Sequence, residues 1–211
     1  MKKYLKKIYF TLFSTIVNSV KDNVDILIWK LNHKITLTPH KIKQSHISQT
    51  AKKYDLKILV ETGTYRGDMV YAQLKNFETI YSIELDKSLW EKAVIRFDNY
   101  KNVQILNGDS GKVLSQVVPK LDYKTLFWLD GHYSGGITAK GELNCPIFEE
   151  LSNIFNSSLN HYIIIDDARL FIGLDDYPTI EELKRYVIEK KQNASLFVLD
   201  DLIFIQPGEK A

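Results

Sequence analysis

Cysteine is nearly absent from this chain. Cys145 is the only one in 211 residues, which excludes an intrachain disulfide framework and a cysteine-built zinc site and fits a reducing, cytoplasmic setting. An excess of charge is also missing. With 28 basic against 26 acidic residues and a net charge of +2, there is no basic stripe of the kind a nucleic-acid binder carries, so nucleic acid is not an expected partner. No apolar run reaches the roughly 20 residues that span a bilayer. The mostly apolar stretch from Ile8 to Val20 is interrupted by Thr11, Ser14, Thr15, Asn18 and Ser19, and Lys21, Asp22 and Asp25 follow it closely. Repeats, low-complexity tracts and internal linkers are lacking after residue 50.

What is present is ample apolar material, 45% of residues, enough for one continuous core. Lys2, Lys3, Lys6 and Lys7 precede the apolar stretch as in a signal peptide, but no convincing cleavage site follows and export is not expected. The segment is read in two ways. It is either a helix packing on the domain or on a second copy of the chain in a homodimer, or a basic amphipathic helix lying on a membrane surface. Residues 1–50 are therefore set apart as an N-terminal helical extension and connection, with His33, His40 and His46 as solvated loop residues. Cys145 is read as a small side chain near a helix start.

Residues 51–211 alternate short apolar runs with helical patterns. Strands are expected at KILVETG, TIYSIEL, VQILNGD, TLFWLD, YIIIDD, SLFVLDD and LIFIQP. Helices are expected at DMVYAQLKNF, SLWEKAVIRFDNY, GKVLSQVVPKL, CPIFEELSNIF and TIEELKRYVIEKK. This order predicts an α/β fold: a doubly wound, Rossmann-like, seven-stranded sheet, mostly parallel, closed by a C-terminal antiparallel hairpin turning near Asp200 and Asp201.

Ligands of such sheets sit at the carboxyl ends of the strands. Five successive strands end in acids: Glu61, Glu84, Asp109, Asp130 and the pair Asp166 and Asp167. Any one of them serves equally well as a helix cap, but all five together favour a site. The first turn, ETGTYRGD, holds Gly63 and Gly67 and puts Tyr65 where a dinucleotide fingerprint needs its second glycine. With an acid before the turn, a pyrophosphate is a poor guest and a ligand bearing an ammonium group a better one. Glu84 is placed to accept the hydroxyls of a ribose, and Asp109 the exocyclic amine of an adenine beyond it.

In these motifs the chain resembles the class I S-adenosylmethionine-dependent methyltransferases, over about residues 50–208. The resemblance rests on ETGTYRG as the glycine loop, IELD as the ribose acid, NGDS as the adenine loop, and the terminal hairpin. It implies S-adenosylmethionine as cofactor, with Gly63, Tyr65 and Gly67 lining the methionine end and Glu61 near its ammonium. Glu84, followed by Leu85, would hold the ribose, and Gly108, Asp109 and Ser110 would flank the adenine. Tyr65 favours the small-molecule O-methyltransferase branch.

In catechol-like and macrolide-sugar O-methyltransferases, acids after the fourth and fifth strands hold magnesium, and Asp130, Asp166 and Asp167 fall at similar places. The alternative left open is that Asp130 touches the cofactor's amino group, Asp166 faces the substrate and Asp167 caps or pairs with Arg169. His132 is the expected proton acceptor, and Tyr133 is expected to orient substrate. Arg169 is either a partner of Asp167 or an anchor for an acidic substrate. The expected reaction is methyl transfer to a hydroxyl of a small molecule, a sugar or glycan precursor being the leading acceptor. Transfer to nitrogen and a non-catalytic adenosyl-ligand-binding module are the alternatives. A nicotinamide-dependent reductase is disfavoured by Tyr65 and the terminal hairpin.

Overall fold

The computed structural model describes residues 20–32, 37–131 and 145–208. They fall into two compact units that divide between Ser45 and His46. In the first, residues 20–31 are helical (α1), and α2, His40–Tyr54, begins there and runs into the second. Among the described residues no helix is long and apolar enough to cross a membrane. The connection expected around residues 40–50 is thus helical. His40 opens α2, with the Gln44 amide nitrogen 2.9 Å from its Nδ1, and His46 lies inside it, paired with Asp200 at 2.9 Å. Neither is a loop residue, and His33 lies outside the described residues. Apolar positions are too few in HKIKQSHISQTAKKY for its helical period to stand out, although Ile47, Thr50 and Ala51 are buried.

The second unit is built on a seven-stranded sheet in the order β3-β2-β1-β4-β5-β7-β6. The strands are β1 Ile58–Thr62, β2 Thr79–Glu84, β3 Val103–Asn107, β4 Thr125–Leu129, β5 Tyr162–Ile165, β6 Ser195–Leu199 and β7 Leu202–Gln206. The first five pair in parallel, and β7 is antiparallel to both β5 and β6. Between them run α3 Asp68–Gln73, α4 Lys87–Phe97, α5 Ser110–Val117, α6 Ile147–Phe155 and α7 Ile180–Lys190. The expected seven-stranded, mostly parallel architecture is the one observed. The hairpin turns on Asp200 and Asp201, whose positive φ of 52° and 61° fit a two-residue turn matched to the twist of its strands.

The strands bury both faces, and alternate residues supply two cores. Leu59, Ile80, Leu126, Trp128 and Ile164 meet Ile47 and Ala51 of α2, Met69 and Val70 of α3, and Ala93 and Phe97 of α4. Val60, Ile83, Phe127, Leu129, Ile163 and Ile165 meet Leu114 of α5, Leu151 and Ile154 of α6, and Leu183 and Val187 of α7. Local chemistry sets the helix ends. Asp86 accepts the Leu89 N–H at 2.8 Å, Thr179 and Glu182 form a capping box, and Pro119, having no N–H to give, sits in the single 3₁₀ turn that follows α5.

At the amino ends of the strands, His161 Nδ1 accepts the Thr125 N–H at 3.2 Å, so Nε2 carries the proton toward Ser157 Oγ, 2.9 Å away. Burial, with Lys191 nearby, pushes this imidazole down to about 4. Phe127 lies in the central strand with no exposed surface. Phe127→Ala is expected to cost about 3–5 kcal/mol, read as a lower midpoint in denaturant at unchanged slope.

Candidate active site

The carboxyl ends of β1 to β5 are joined by a ladder of backbone bonds. Gly63 and Thr64 N–H both reach Ile83 O, at 2.9 and 3.2 Å, and Gly108 N–H reaches Glu84 O at 2.9 Å. Asp130 N–H reaches Thr62 O at 3.1 Å, and Asp166 N–H reaches Leu129 O at 3.0 Å. Gly63 is required here twice over. Its φ is +83°, and a Cβ on it would collide with the Asp130 carbonyl oxygen. The switch point between β1 and β4 is therefore closed backbone against backbone.

Glu61 is the most constrained acid in the site. It is 1% exposed, accepts a short hydrogen bond from Ser82 Oγ, and that hydroxyl lies 2.6 Å from Thr64 Oγ1. Burial raises its carboxyl to about 8, against the opposing Ser82 bond and with help from Glu84, so at neutral pH it is mostly the uncharged acid. On the other side of Glu61, Trp128 is its partner in the strand register. Trp128 Nε1 and Thr62 Oγ1 are buried without a hydrogen-bond partner among the described residues, a demand that a ligand or ordered water would meet.

Glu84 is buried at the end of β2. Its two oxygens accept N–H groups from Tyr65 at 2.7 Å and Asp86 at 2.9 Å. Burial outweighs these bonds and raises its pKa as well. Tyr65 itself takes a left-handed φ of 49° and is exposed, with Arg66 over its ring. Gly67 has a φ of +76° and admits the Phe97 ring where a side chain would stand. Leu85 is partly exposed beside Glu84. Asp109 caps α5 through the Lys112 N–H at 3.3 Å, with Ser110 as the first residue of that helix. The structure thus brings Glu61, Gly63, Tyr65, Gly67, Glu84 and Leu85 to one edge of the crevice, with Gly108, Asp109 and Ser110 on the adjoining strand end.

The acids after β4 and β5 are arranged differently from the magnesium set that the sequence suggested. Asp166 is buried, and its Oδ1 accepts the Asp167 N–H at 2.8 Å. Asp167 Oδ1 accepts from the Arg169 guanidinium at 2.7 Å, and the same guanidinium binds Asp201. Burial works against the Arg169 charge, but the two carboxylates outweigh it and hold its pKa above the ordinary value. Among the described residues no three His, Cys, Asp or Glu side chains converge as a metal site. Magnesium wants several oxygens in a regular octahedron, and here a guanidinium already supplies the positive charge to Asp167. Asp166 and Asp167 are thus already engaged, the first by a backbone N–H and the second by a guanidinium. Arg169 is accordingly a partner of Asp167 and Asp201.

His132 and Tyr133 lie outside the described residues. Two groups went unrecognised in the sequence. Tyr177, buried against Phe171, has its hydroxyl proton held more tightly, first by burial and then by Cys145, Asp167 and Asp130 around it. Glu150, in the first turn of α6, is also buried. A tyrosine before a proline in LDDYP, or one acid among several in a helix, carries no signal of burial. Cys145 is buried, and that burial pushes its thiol up to about 12, away from the thiolate form.

Sequence comparison finds no matching family model and no matching curated protein. Comparison of structures is decisive for the fold. An S-adenosylhomocysteine-bound methyltransferase from Podospora anserina is 16% identical, with a TM-score of 0.56 over 79% of this chain and 78% of its own. The O-methyltransferase TomG from Streptomyces achromogenes, involved in tomaymycin synthesis and bound to S-adenosylmethionine, is 12% identical, with a TM-score of 0.57 over 83% and 82%. An O-methyltransferase from Bacillus cereus in complex with S-adenosylhomocysteine is 13% identical, with a TM-score of 0.55 over 89% and 90%. The fold is that of the class I S-adenosylmethionine-dependent methyltransferases. In this methyltransferase fold the crevice at Gly63, Glu61 and Glu84 occupies the switch point of the sheet, where open α/β sheets take their ligands.

Glu61 has a measurable signature. Its folded pKa of about 8 lies above its ordinary value of 4.5, so its contribution to stability is fully present below about 4.5 and is lost as pH rises through about 8. Glu61→Gln keeps a neutral side chain. In denaturant titrations the wild type should lose stability relative to this variant as pH rises from about 4.5 to about 8, and parallel curves would show that folding leaves the Glu61 pKa unchanged.

Proposed function

We propose that this protein is an S-adenosylmethionine-dependent methyltransferase acting on a hydroxyl of a small molecule, with a sugar or glycan precursor as the acceptor. The observation that carries the reading is the pair of buried acids, Glu61 and Glu84, on either side of a glycine turn that has no room for side chains at Gly63 and Gly67. These residues fit the cofactor: Glu61 would face its ammonium, Glu84 its ribose, and the strand end at Gly108 to Ser110 its adenine. When bound, S-adenosylmethionine supplies an electrophilic methyl group, whose transfer to a hydroxyl breaks a C–S bond, forms a C–O bond and leaves one proton to be accepted.

The chain's own contribution is alignment and removal of that proton. The Tyr65 and Asp86 N–H groups hold the Glu84 carboxylate in one orientation before any ligand arrives. Arg169, clamped by Asp167 and Asp201, ties the end of β5 to the β6–β7 turn. His132 is the proposed acceptor of the hydroxyl proton, with Tyr133 orienting the substrate. No step is assigned to a metal, since Asp167 is already paired with Arg169.

Calorimetry tests the cofactor assignment. S-adenosylhomocysteine should bind and NAD should not, and Glu84→Ala should weaken the binding by about 10–100-fold, the effect of removing hydrogen bonds to a charged group. At pH 7, binding an ammonium beside Glu61 should release a proton, visible as a dependence of the heat on the buffer's ionisation enthalpy. Equal binding of NAD, or no binding of S-adenosylhomocysteine, would overturn the reading.

A further inference from the structure

Helix α1 carries two apolar faces, and only one of them is covered. At about 100° per residue, Ile26 and Trp29 lie on one side, and Trp29 is 2% exposed. Val20, Val24, Leu27, Ile28 and Leu31 lie on the opposite side within an arc of about 100°, and each is 46–68% exposed. Among the described residues the Trp29 face is the covered one, while five aliphatic side chains form an open stripe.

Charge is distributed around that stripe in a particular way. Lys21 borders it beyond Ile28, Lys30 stands on the other flank beyond Leu27, Asp25 lies behind Lys21, and Asp22 falls opposite. Upstream of the described helix, the first 19 residues hold Lys2, Lys3, Lys6 and Lys7 and no acid at all. An apolar stripe with lysines along its margins, preceded in sequence by a basic segment, is the composition of a helix that lies in a bilayer interface, its lysine stems along the apolar boundary and its ammonium groups at the headgroups.

We propose that the exposed stripe of α1 docks on an anionic membrane surface and holds the methyltransferase fold at the lipid interface. A second copy of the chain is the competing occupant, because the spacing of residues 20, 24, 27 and 31 also fits a coiled-coil seam. Ile28 widens the stripe beyond such a seam. The four lysines of the acid-free segment would also set like charge against like charge between two parallel copies, whereas anionic lipid attracts them. Among the described residues no helix is long and apolar enough to cross a bilayer, and the contact proposed is a peripheral one.

The full-length protein should sediment with phosphatidylcholine vesicles containing about one-third phosphatidylglycerol, and far less with pure phosphatidylcholine. Salt at about 1 M should weaken the binding. Leu27→Glu with Leu31→Glu should lower the partition coefficient at least about tenfold without moving the denaturation midpoint, since both side chains are exposed. Replacing Lys2, Lys3, Lys6 and Lys7 with glutamine should remove most of the salt dependence. Failure of the wild type to prefer the anionic vesicles would overturn the proposal, as would equal partition of the Leu27/Leu31 variant. So would a lipid-free protein that sediments as a dimer and becomes a monomer in that variant, which would make the stripe a seam between copies. None of these readouts depends on cofactor binding.

Discussion

The site depends on a contact that only a residue without a side chain permits. Gly63 brings the backbone of the first turn against the carbonyl of Asp130, which fixes how far apart β1 and β4 stand at the point where the strand order reverses. That spacing sets the floor of the crevice. It determines where Glu61 ends up, because the turn that begins at Gly63 also carries Thr64, which meets the hydroxyl that hydrogen-bonds Glu61, and Tyr65, whose N–H orients Glu84. Two acids on neighbouring strands are positioned by one loop, and the loop is positioned by one absent Cβ.

The crevice treats its acids by two different means. On the side of β1 and β2, burial keeps Glu61 largely neutral and raises Glu84, with hydroxyl and backbone donors satisfying their oxygens. On the side of β5, the carboxylates stay paired with a guanidinium: Asp167 and Asp201 share Arg169. A neutral buried acid can respond to an arriving positive charge by ionising, whereas a paired one has already been answered from within the protein. The first arrangement suits binding, and the second suits holding two loops together.

Most of the fold was legible because its signals are strong and repeated. Continuous apolar strands such as TLFWL and YIII, each followed by an acid and then by a helical period, leave little choice of architecture. The glycine turn was legible for the same reason, since Gly63 and Gly67 mark backbone conformations that other residues adopt at a cost. The relation between side chains on distant segments was not legible. Nothing in DDARLF announces that Arg169 will meet Asp201, more than 30 positions later, and the proximity of Asp130, Asp166 and Asp167 along the strand ends suggested a cation where a guanidinium stands. The His46 pairing with Asp200 was hidden likewise, because α2 is polar enough to read as a connection.

The position of β7 has a consequence for how the molecule comes into being. It follows β6 in sequence but lies between β5 and β6, so β5 has an unpaired edge until this late segment inserts beside it. The same hairpin carries Asp201, without which Arg169 lacks its second carboxylate. A chain emerging from the ribosome therefore holds every strand that bears the glycine turn and the buried acids well before it can close the sheet around them. The crevice is encoded early and becomes rigid late. During that interval the apolar ladder of β5 is open to pairing with other chains, and the β6–β7 hairpin protects this strand as it completes the site.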